Sequence, residues 1–201
     1  MHSVLFGLNF CFVYLDDILV ASKSYEEHLD HLKIIFQKLS ENSLIINSEK
    51  CVFAKTEIKF LGHMVSEHGI LPDQERVLVI KEFERPSTVK QLKRFLGMIN
   101  FYRRFIPGAA ADQILLNDFL KGYKKNSKIA ISWTSDSVTA FDNCKTKLCN
   151  ATLLSHPSSL ARLAIMVDAS DTVIGAVVQQ FVADTWQPLS FFSVRLNDAQ
   201  T

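Results

Sequence analysis

The 201 residues contain no Gly-rich phosphate loop, no G-x-S-x-G segment and no H-E-x-x-H pattern. Those absences remove the signatures of P-loop nucleotide binding, serine hydrolysis and zincin chemistry. Cysteine is scarce: Cys11, Cys51, Cys144 and Cys149 are the four, and no pair has C-x-x-C spacing. A zinc site is therefore not indicated, and the expectation is reduced thiols of an intracellular protein, mostly in cores. Net charge is almost absent at +1, so any basic surface must be local. No apolar run is long enough to span a bilayer. The opening "MHSVLFGLNFCFVYLDD" has the apolar character of a secretory leader, but neither its basic start nor its small-residue cleavage site. The expectation is a soluble protein with no membrane partner, not secreted. Hydrophobic residues at 48% allow one or two small domains with real cores. There is no internal repeat and no low-complexity tract.

The periodicities that are present give an element order. The opening Phe-, Val- and Leu-rich run predicts a strand buried on both faces, with a hairpin turn near Leu15–Asp17. Asp-Asp is poor turn chemistry, since tight hairpins prefer Asn-Gly or Asp-Gly. Ser24 and Glu27 form a capping-box pattern ahead of Leu29, Leu32, Ile35, Phe36 and Leu39, predicting a helix from Tyr25 to about Ser40. "LIINSEKCVF" and "EIKFLGHMVS" read as two strands, with Gly69 and Pro72 ending the unit. Asp73 caps a helix to Phe83, which Pro86 breaks. Thr88 and Gln91 form a second capping box, opening a helix with an apolar stripe of Leu92, Phe95, Leu96, Ile99 and Tyr102. A weaker helix follows, from Asp112 to about Lys121, then the polar stretch "KGYKKNSK". Another helix, capped by Thr134 or Ser135, carries Phe141, Cys144 and Leu148 on one face. "RLAIMVDAS", "VIGAVVQQF" and "QPLSFFSVR" read as an antiparallel meander. The order predicts two partial α/β or α+β units joined by a helical segment.

Three features carry possible chemistry, each with a plain alternative. Asp16–Asp17 is either a solvated hairpin tip or a divalent-cation site. Mg²⁺ takes hard oxygen ligands and is commonly bound by one or two carboxylates plus substrate phosphates. Asp168, at the end of "LAIMV" with Asp171 three residues on, is either a turn cap or a metal ligand on a rigid strand. The helix from Val89 sets Lys90, Lys93, Arg94 and Arg104 off its apolar stripe, as a solvated cationic face or a phosphate-tracking surface. Gly97 in mid-helix costs about 1 kcal/mol relative to Ala, and it permits close approach of another backbone, from a helix or a nucleic acid. The histidines, including His28 and His31 on one helix and His63 and His68, form no recognisable ligand pattern.

"FVYLDDILV" resembles the Y-x-D-D box of reverse transcriptases in gypsy-type LTR retrotransposon Pol polyproteins. The resemblance continues in order through "HLDHLKIIFQKL", "KCVFAKTEIKFLGHMVSEHGILPD", "PSTVKQLKRFLGMINFYRRFIP", "VDASDTVIGAVVQQ" and "PLSFFSVRLNDAQ", and is loosest across Gly108 to Asn126. It implies an α+β chain: a partial palm with its primer-grip hairpin over residues 1–85, a helical thumb over 86–125, a connection over 126–160, and the first three strands of an RNase H-like α/β domain over 161–201. By the same resemblance Asp16, Asp17 and Asp168 are catalytic carboxylates that bind Mg²⁺ or Mn²⁺. Tyr14 and Leu15 occupy the other box positions. Phe60, Leu61 and Gly62 match the primer grip, and Lys90, Lys93, Arg94 and Gly97 lie on the nucleic-acid side of the thumb helix.

The implied activity is RNA-directed DNA polymerisation with tethered ribonuclease H, by two-metal phosphoryl transfer. The implied partners are an RNA/DNA template–primer duplex, deoxynucleotide triphosphates and the rest of the Pol polyprotein. The implied location is cytoplasmic, in a virus-like particle, or nuclear. Such a polymerase site uses a third carboxylate from an earlier palm strand, and residues 1–15 contain no Asp or Glu. The RNase H glutamate and later aspartates would follow Thr201. The expectation is an internal piece of a Pol polyprotein, inactive alone, whose first strand exposes an apolar edge prone to aggregation. The alternative is a degenerate or domesticated module that binds nucleic acid without catalysis.

Overall fold

The computed structural model describes residues 1–123 and 127–197. The chain divides into two compact units, Met1–Phe60 and Leu61–Thr201. Lys124, Lys125 and Asn126 of the polar stretch lie outside the described residues.

The first unit opens with a single helical turn, α1 (His2–Leu5), followed by the hairpin of β1 (Cys11–Tyr14) and β2 (Asp17–Val20). The register pairs Cys11 with Val20 and Tyr14 with Asp17, leaving Leu15 and Asp16 as a two-residue turn. The expected turn is thus present, but burial on both faces is not. Phe12 and Tyr14 are 56% and 49% exposed, while Cys11 and Val13 turn inward. One-sided packing of this kind follows from the alternation of side chains along a strand. α2 (Tyr25–Glu41) begins where Ser24 Oγ accepts the Glu27 N–H. The reciprocal half of the box is displaced by one residue, because the Glu27 carboxylate accepts from Lys23 N. Ile35 and Leu39 of α2 join Leu5 in a small core, whereas Leu29 and Phe36 of the predicted stripe stay exposed. "LIINSEKCVF" is not a strand: it holds a short 3₁₀ turn, Ser48–Lys50, in which Asn47 accepts the Glu49 N–H. An Asx turn of this kind competes locally with strand formation. β3 (Glu57–Phe60) closes the unit.

In the second unit, β4 (His63–Ser66) and β5 (Gly69–Pro72) pair antiparallel, so Gly69–Pro72 is a strand rather than a terminator. Gly69 has φ 142°, and a Cβ there would lie 2.2 Å from the Leu154 carbonyl oxygen. The glycine admits the bridge in which Ile70 and Leu154 exchange backbone hydrogen bonds of 2.8 and 3.1 Å. α3 (Gln74–Lys81), capped by Asp73, and α4 (Val89–Phe101), with its complete Thr88–Gln91 capping box, form as expected. All five residues of the α4 stripe are at most 3% exposed. α5 (Ala109–Asp118) begins earlier than predicted, after Gly108 in the left-handed region. α6 (Ser135–Cys149) is capped by Thr134 and buries Phe141, Cys144 and Leu148 against Phe95 and Leu92. The meander β6 (Arg162–Ala169), β7 (Val173–Val182) and β8 (Thr185–Arg195) is antiparallel in the order β6-β7-β8. Of the cysteines only Cys144 is buried, and all four are free, so the expectation of mostly core thiols fails. Among the described residues no helix is long and apolar enough to cross a membrane.

Candidate nucleic-acid interface and carboxylate sites

The Asp pair sits where a strained turn puts it. Leu15 takes φ 51°, a left-handed conformation that costs an L-residue about 1–2 kcal/mol. With that distortion at the first turn position, Asp16 stands at the tip and Asp17 heads β2, opposite Tyr14. Both carboxylates are exposed, and neither has a hydrogen bond or ion pair with another described residue. Two like charges that neither pair nor bury are available to a cation. Phe60, in the same unit, packs edge-on against Phe12 with ring centroids 6.0 Å apart.

Asp168 lies in the second unit, one residue from the end of β6, with Gly175 of β7 as its partner. It too is exposed, and Asp171 follows in the β6–β7 turn. Among the described residues no three potential ligands cluster. Each location therefore offers one or two carboxylates, a donor set that fits a cation completed by water and substrate phosphates rather than an all-protein cage.

α4 presents its second face to a groove. Lys90, Lys93, Arg94, Gly97 and Phe101 recur at helical spacing opposite the buried stripe, which places them along one side. Arg94, Gly97, Met98 and Phe101 of α4 face Arg76 and Val79 of α3 across a cleft of about 400 Å³ floored by Ile80 and Tyr102. A Cβ added at Gly97 would meet nothing within 4 Å, so among the described residues no helix takes the close approach this residue allows. Lys93 is tied back, its Nζ donating to the Tyr123 carbonyl at 2.9 Å, and Arg94 lies 6.0 Å from the Phe83 ring centroid. Lys90 is exposed at the helix start.

Leu61 (φ 49°) and Gly62 (φ 81°) form a turn of two left-handed residues, which breaks the single strand expected over "EIKFLGHMVS". Gly62 lies at the end of the groove. A Cβ there would come 2.8 Å from Arg76 Nη1 and 3.3 Å from Phe101, and the Tyr102 hydroxyl donates to the Gly62 carbonyl at 2.9 Å. Burial raises the Tyr102 phenol above its ordinary pKa, with a counteracting pull from Arg76, so it remains a hydrogen-bond donor at neutral pH. The structure thus brings Gly62, Arg94 and Gly97 together, and it adds Arg76, Val79 and Phe101, which the sequence reading missed. Arg76 follows its Asp73 cap by three residues, at 3.9 Å as an ion pair, and that spacing was its one available signal.

Comparison with known proteins decides the family. Residues 1–65 match the model of reverse transcriptase (RNA-dependent DNA polymerase), and residues 133–201 match that of the RNase H-like domain found in reverse transcriptase. The Transposon Tf2-3 and Tf2-7 polyproteins of Schizosaccharomyces pombe are 36% and 35% identical to this chain over 188 residues. The chain belongs to the reverse transcriptase family of retrotransposon polyproteins. This reverse transcriptase segment is 93% covered by those alignments but spans 14% of the length of the polyproteins. The RNase H-like match takes in α6, which the sequence reading placed in the connection. The foamy viral protease-reverse transcriptase in complex with dsDNA has a TM-score of 0.86 at 24% identity, over 98% of this chain and 40% of that one. Its complex with RNA/DNA hybrid gives 0.86 and 24%, over 99% and 26%. That likeness establishes the α+β reverse transcriptase fold. Reverse transcriptases and RNase H-like enzymes work with divalent metals.

Proposed function

We propose that this chain grips an RNA/DNA template–primer duplex as part of an RNA-directed DNA polymerase with tethered RNase H. The observation that carries the reading is the groove between α3 and α4, where Arg76 and Arg94 flank a floor left open by Gly97 and closed at one end by Gly62. A groove with cationic rims and a bare glycine at its centre accepts a sugar–phosphate backbone without reading base edges. The foamy viral relatives solved with dsDNA and with RNA/DNA hybrid support this ligand class. In this reading residues 1–85 act as palm and primer grip, with Phe60 and Tyr14 against the primer end, 86–125 as thumb, 126–160 as connection and 161–201 as the start of RNase H. The rest of the polyprotein is the partner in sequence.

Asp16 and Asp17 would hold Mg²⁺ or Mn²⁺ at the polymerase site, and Asp168 would hold it at the ribonuclease site. Such an ion supplies charge stabilisation for phosphoryl transfer from deoxynucleotide triphosphates, or to water. The strained Leu15 turn presents the Asp16–Asp17 pair, and Asp168 stands opposite Gly175 in the β6–β7 register. Two carboxylates give a weak site, so the property expected of these 201 residues is binding rather than turnover. Four free thiols fit a cytoplasmic or nuclear location.

Fluorescence anisotropy with a short RNA/DNA hybrid tests the reading. Binding should weaken as salt rises, and Arg94→Ala and Lys90→Ala should each lower the salt slope by about 1. Lys93→Ala should change it less, because Lys93 is already committed to Tyr123. Absence of binding at low salt would sink the proposal. Primer extension or hybrid cleavage above an Asp16→Asn, Asp168→Asn control would overturn the expectation that turnover is lacking.

A further inference from the structure

The second unit holds another cavity, of about 190 Å³, between α4, α5 and β8, which duplex binding along α3 and α4 does not use. Gln113 lines it. This residue is only 4% exposed, and its amide has no hydrogen bond to any described residue. The amide atoms are not sealed from solvent, so water in the cavity satisfies them, and a ligand that displaces that water must replace its hydrogen bonds or lose about 1–3 kcal/mol. Asn100 and Asn117 add two more amides to the wall.

Two guanidiniums complete the lining. Arg103 donates one N–H to the Ser193 carbonyl and lies over the Phe192 ring at 5.5 Å, and Arg195 donates from Nη1 to Asp118 at 2.7 Å. Each guanidinium has five N–H donors, so most remain available. Among the described residues Asp118 is the carboxylate that pairs here, shared between Arg195 and Lys121, the latter at 2.8 Å. Among the described residues, Arg103, Arg195 and Lys121 thus stand against Asp118 at this mouth.

Among the described residues no carboxylate lines the cavity, and their positive balance repels a metal ion. The polar lining disfavours a hydrocarbon. An oxyanion satisfies the guanidiniums, and Gln113 narrows the choice. Whichever way its amide is turned, it presents one donor edge and one acceptor. A carboxylate or an internal phosphodiester offers only acceptors and would leave the Gln113 oxygen unpaired. A singly protonated phosphate offers both, a P–O⁻ to the amide nitrogen and a P–OH to the amide oxygen.

We propose that the cavity lined by Gln113, Arg103, Asn117 and Arg195 is a binding site for a protonated phosphate, either free inorganic phosphate or a terminal phosphomonoester. It is separate from the duplex groove, and phosphate binding there is tested first without any duplex.

The test is thermal unfolding of the full 201-residue chain against inorganic phosphate, with sulfate and acetate at matched ionic strength. Phosphate should raise the transition saturably, as a ligand of the native state does, and beyond either control ion. Gln113→Leu should abolish the phosphate-specific shift. Arg103→Lys, at an exposed position that spares the core, should weaken the apparent affinity at least tenfold and carries the test if Gln113→Leu fails to fold. A short duplex with and without a 5′-phosphate separates the two sources. Competition by the phosphorylated form alone assigns the site to strand ends, and competition by neither assigns it to free phosphate. Equal shifts with all three anions, shifts unchanged in Arg103→Lys, or equal competition by both duplexes would overturn the proposal.

Discussion

At the residue scale, the informative positions are those whose surroundings contradict their type. Cys144 is a thiol inside the core beside an ion pair, with Lys147 Nζ 2.5 Å from an Asp112 carboxylate oxygen. Burial, and then the Asp112 charge, push its pKa up to about 12 from 9.0, while Lys147 pulls the other way. The protonated thiol is therefore the native form well above neutrality. In the unfolded chain the same thiol ionises near its ordinary value. The native state thus binds more protons than the unfolded state between about pH 9 and 12, and stability falls as pH rises through that window, by up to about 1.4 kcal/mol per pH unit from this group. Below pH 9 the contribution is fully present. Urea titrations at pH 8 and pH 10 should show the loss, and Cys144→Ala should flatten that dependence while costing stability at both pH values. Iodoacetamide should label exposed Cys149 in the native protein and Cys144 only after unfolding. Comparable labelling of both native thiols would refute the assigned burial.

At the element scale, α4 shows how a buried stripe and a groove-lining face divide one helix. Its buried stripe was legible because five apolar residues at 3.6-residue spacing leave no other face for the core, and its capping box was legible because Thr88 and Gln91 stand at fixed positions. The β6–β8 meander was legible through three successive apolar-rich runs separated by short polar breaks. What escaped was set by contacts distant in sequence or by strained backbone. Gly69 reads as a terminator until Leu154 is found against it, and the Leu61–Gly62 turn divides a segment whose alternation is continuous. The groove was half legible: the cationic positions of α4 could be placed on its polar side, but Arg76 and Phe101 join them only through the packing of α3 on α4. The turn that carries the Asp pair was legible from the apolar runs on either side, while the left-handed Leu15 that presents the pair has no sequence signature. Gly97 belongs to the groove-lining face of α4. Replacing this exposed helical glycine by Ala should stabilise the unit by about 1 kcal/mol, since a Cβ there meets no atom within 4 Å. The same methyl group would stand in the groove, so hybrid affinity should fall severalfold while the melting temperature rises. Calorimetry and anisotropy on the one variant check both signs, and tighter binding in a more stable Gly97→Ala protein would show that the groove is not the contact surface.

At the scale of the whole molecule, exposed apolar side chains occur on helices, loops and strands alike, and β6 carries a dense run of them. Leu163, Ile165, Met166 and Val167 of β6 are each more than 60% exposed, although β6 lies in the centre of a family-matched segment. Side chains alternate along a strand, so Leu163, Ile165 and Val167 share one face and Met166 lies on the other. Both faces of β6 are therefore open, and among the described residues it pairs with β7 alone, at the edge of a three-stranded sheet. In the first unit, Phe12 and Tyr14 expose one side of β1. A long flat edge strand bearing apolar residues is a template for pairing with another chain. β6 is the stronger template: it runs for eight residues against four in β1, and only Arg162 and Asp168 interrupt it with charge. The isolated chain should self-associate as concentration rises, and the contact should run through β6. Ile165→Lys places a charge in the middle of the exposed face without touching the buried core of α4 and α6, so it should lower light scattering at equal concentration and leave the unfolding transition within about 0.5 kcal/mol of the parent. Phe12→Lys should have the smaller effect. Scattering that responds to Phe12→Lys and ignores Ile165→Lys would move the association surface to the first unit, and scattering unchanged by both would remove strand edges as its cause.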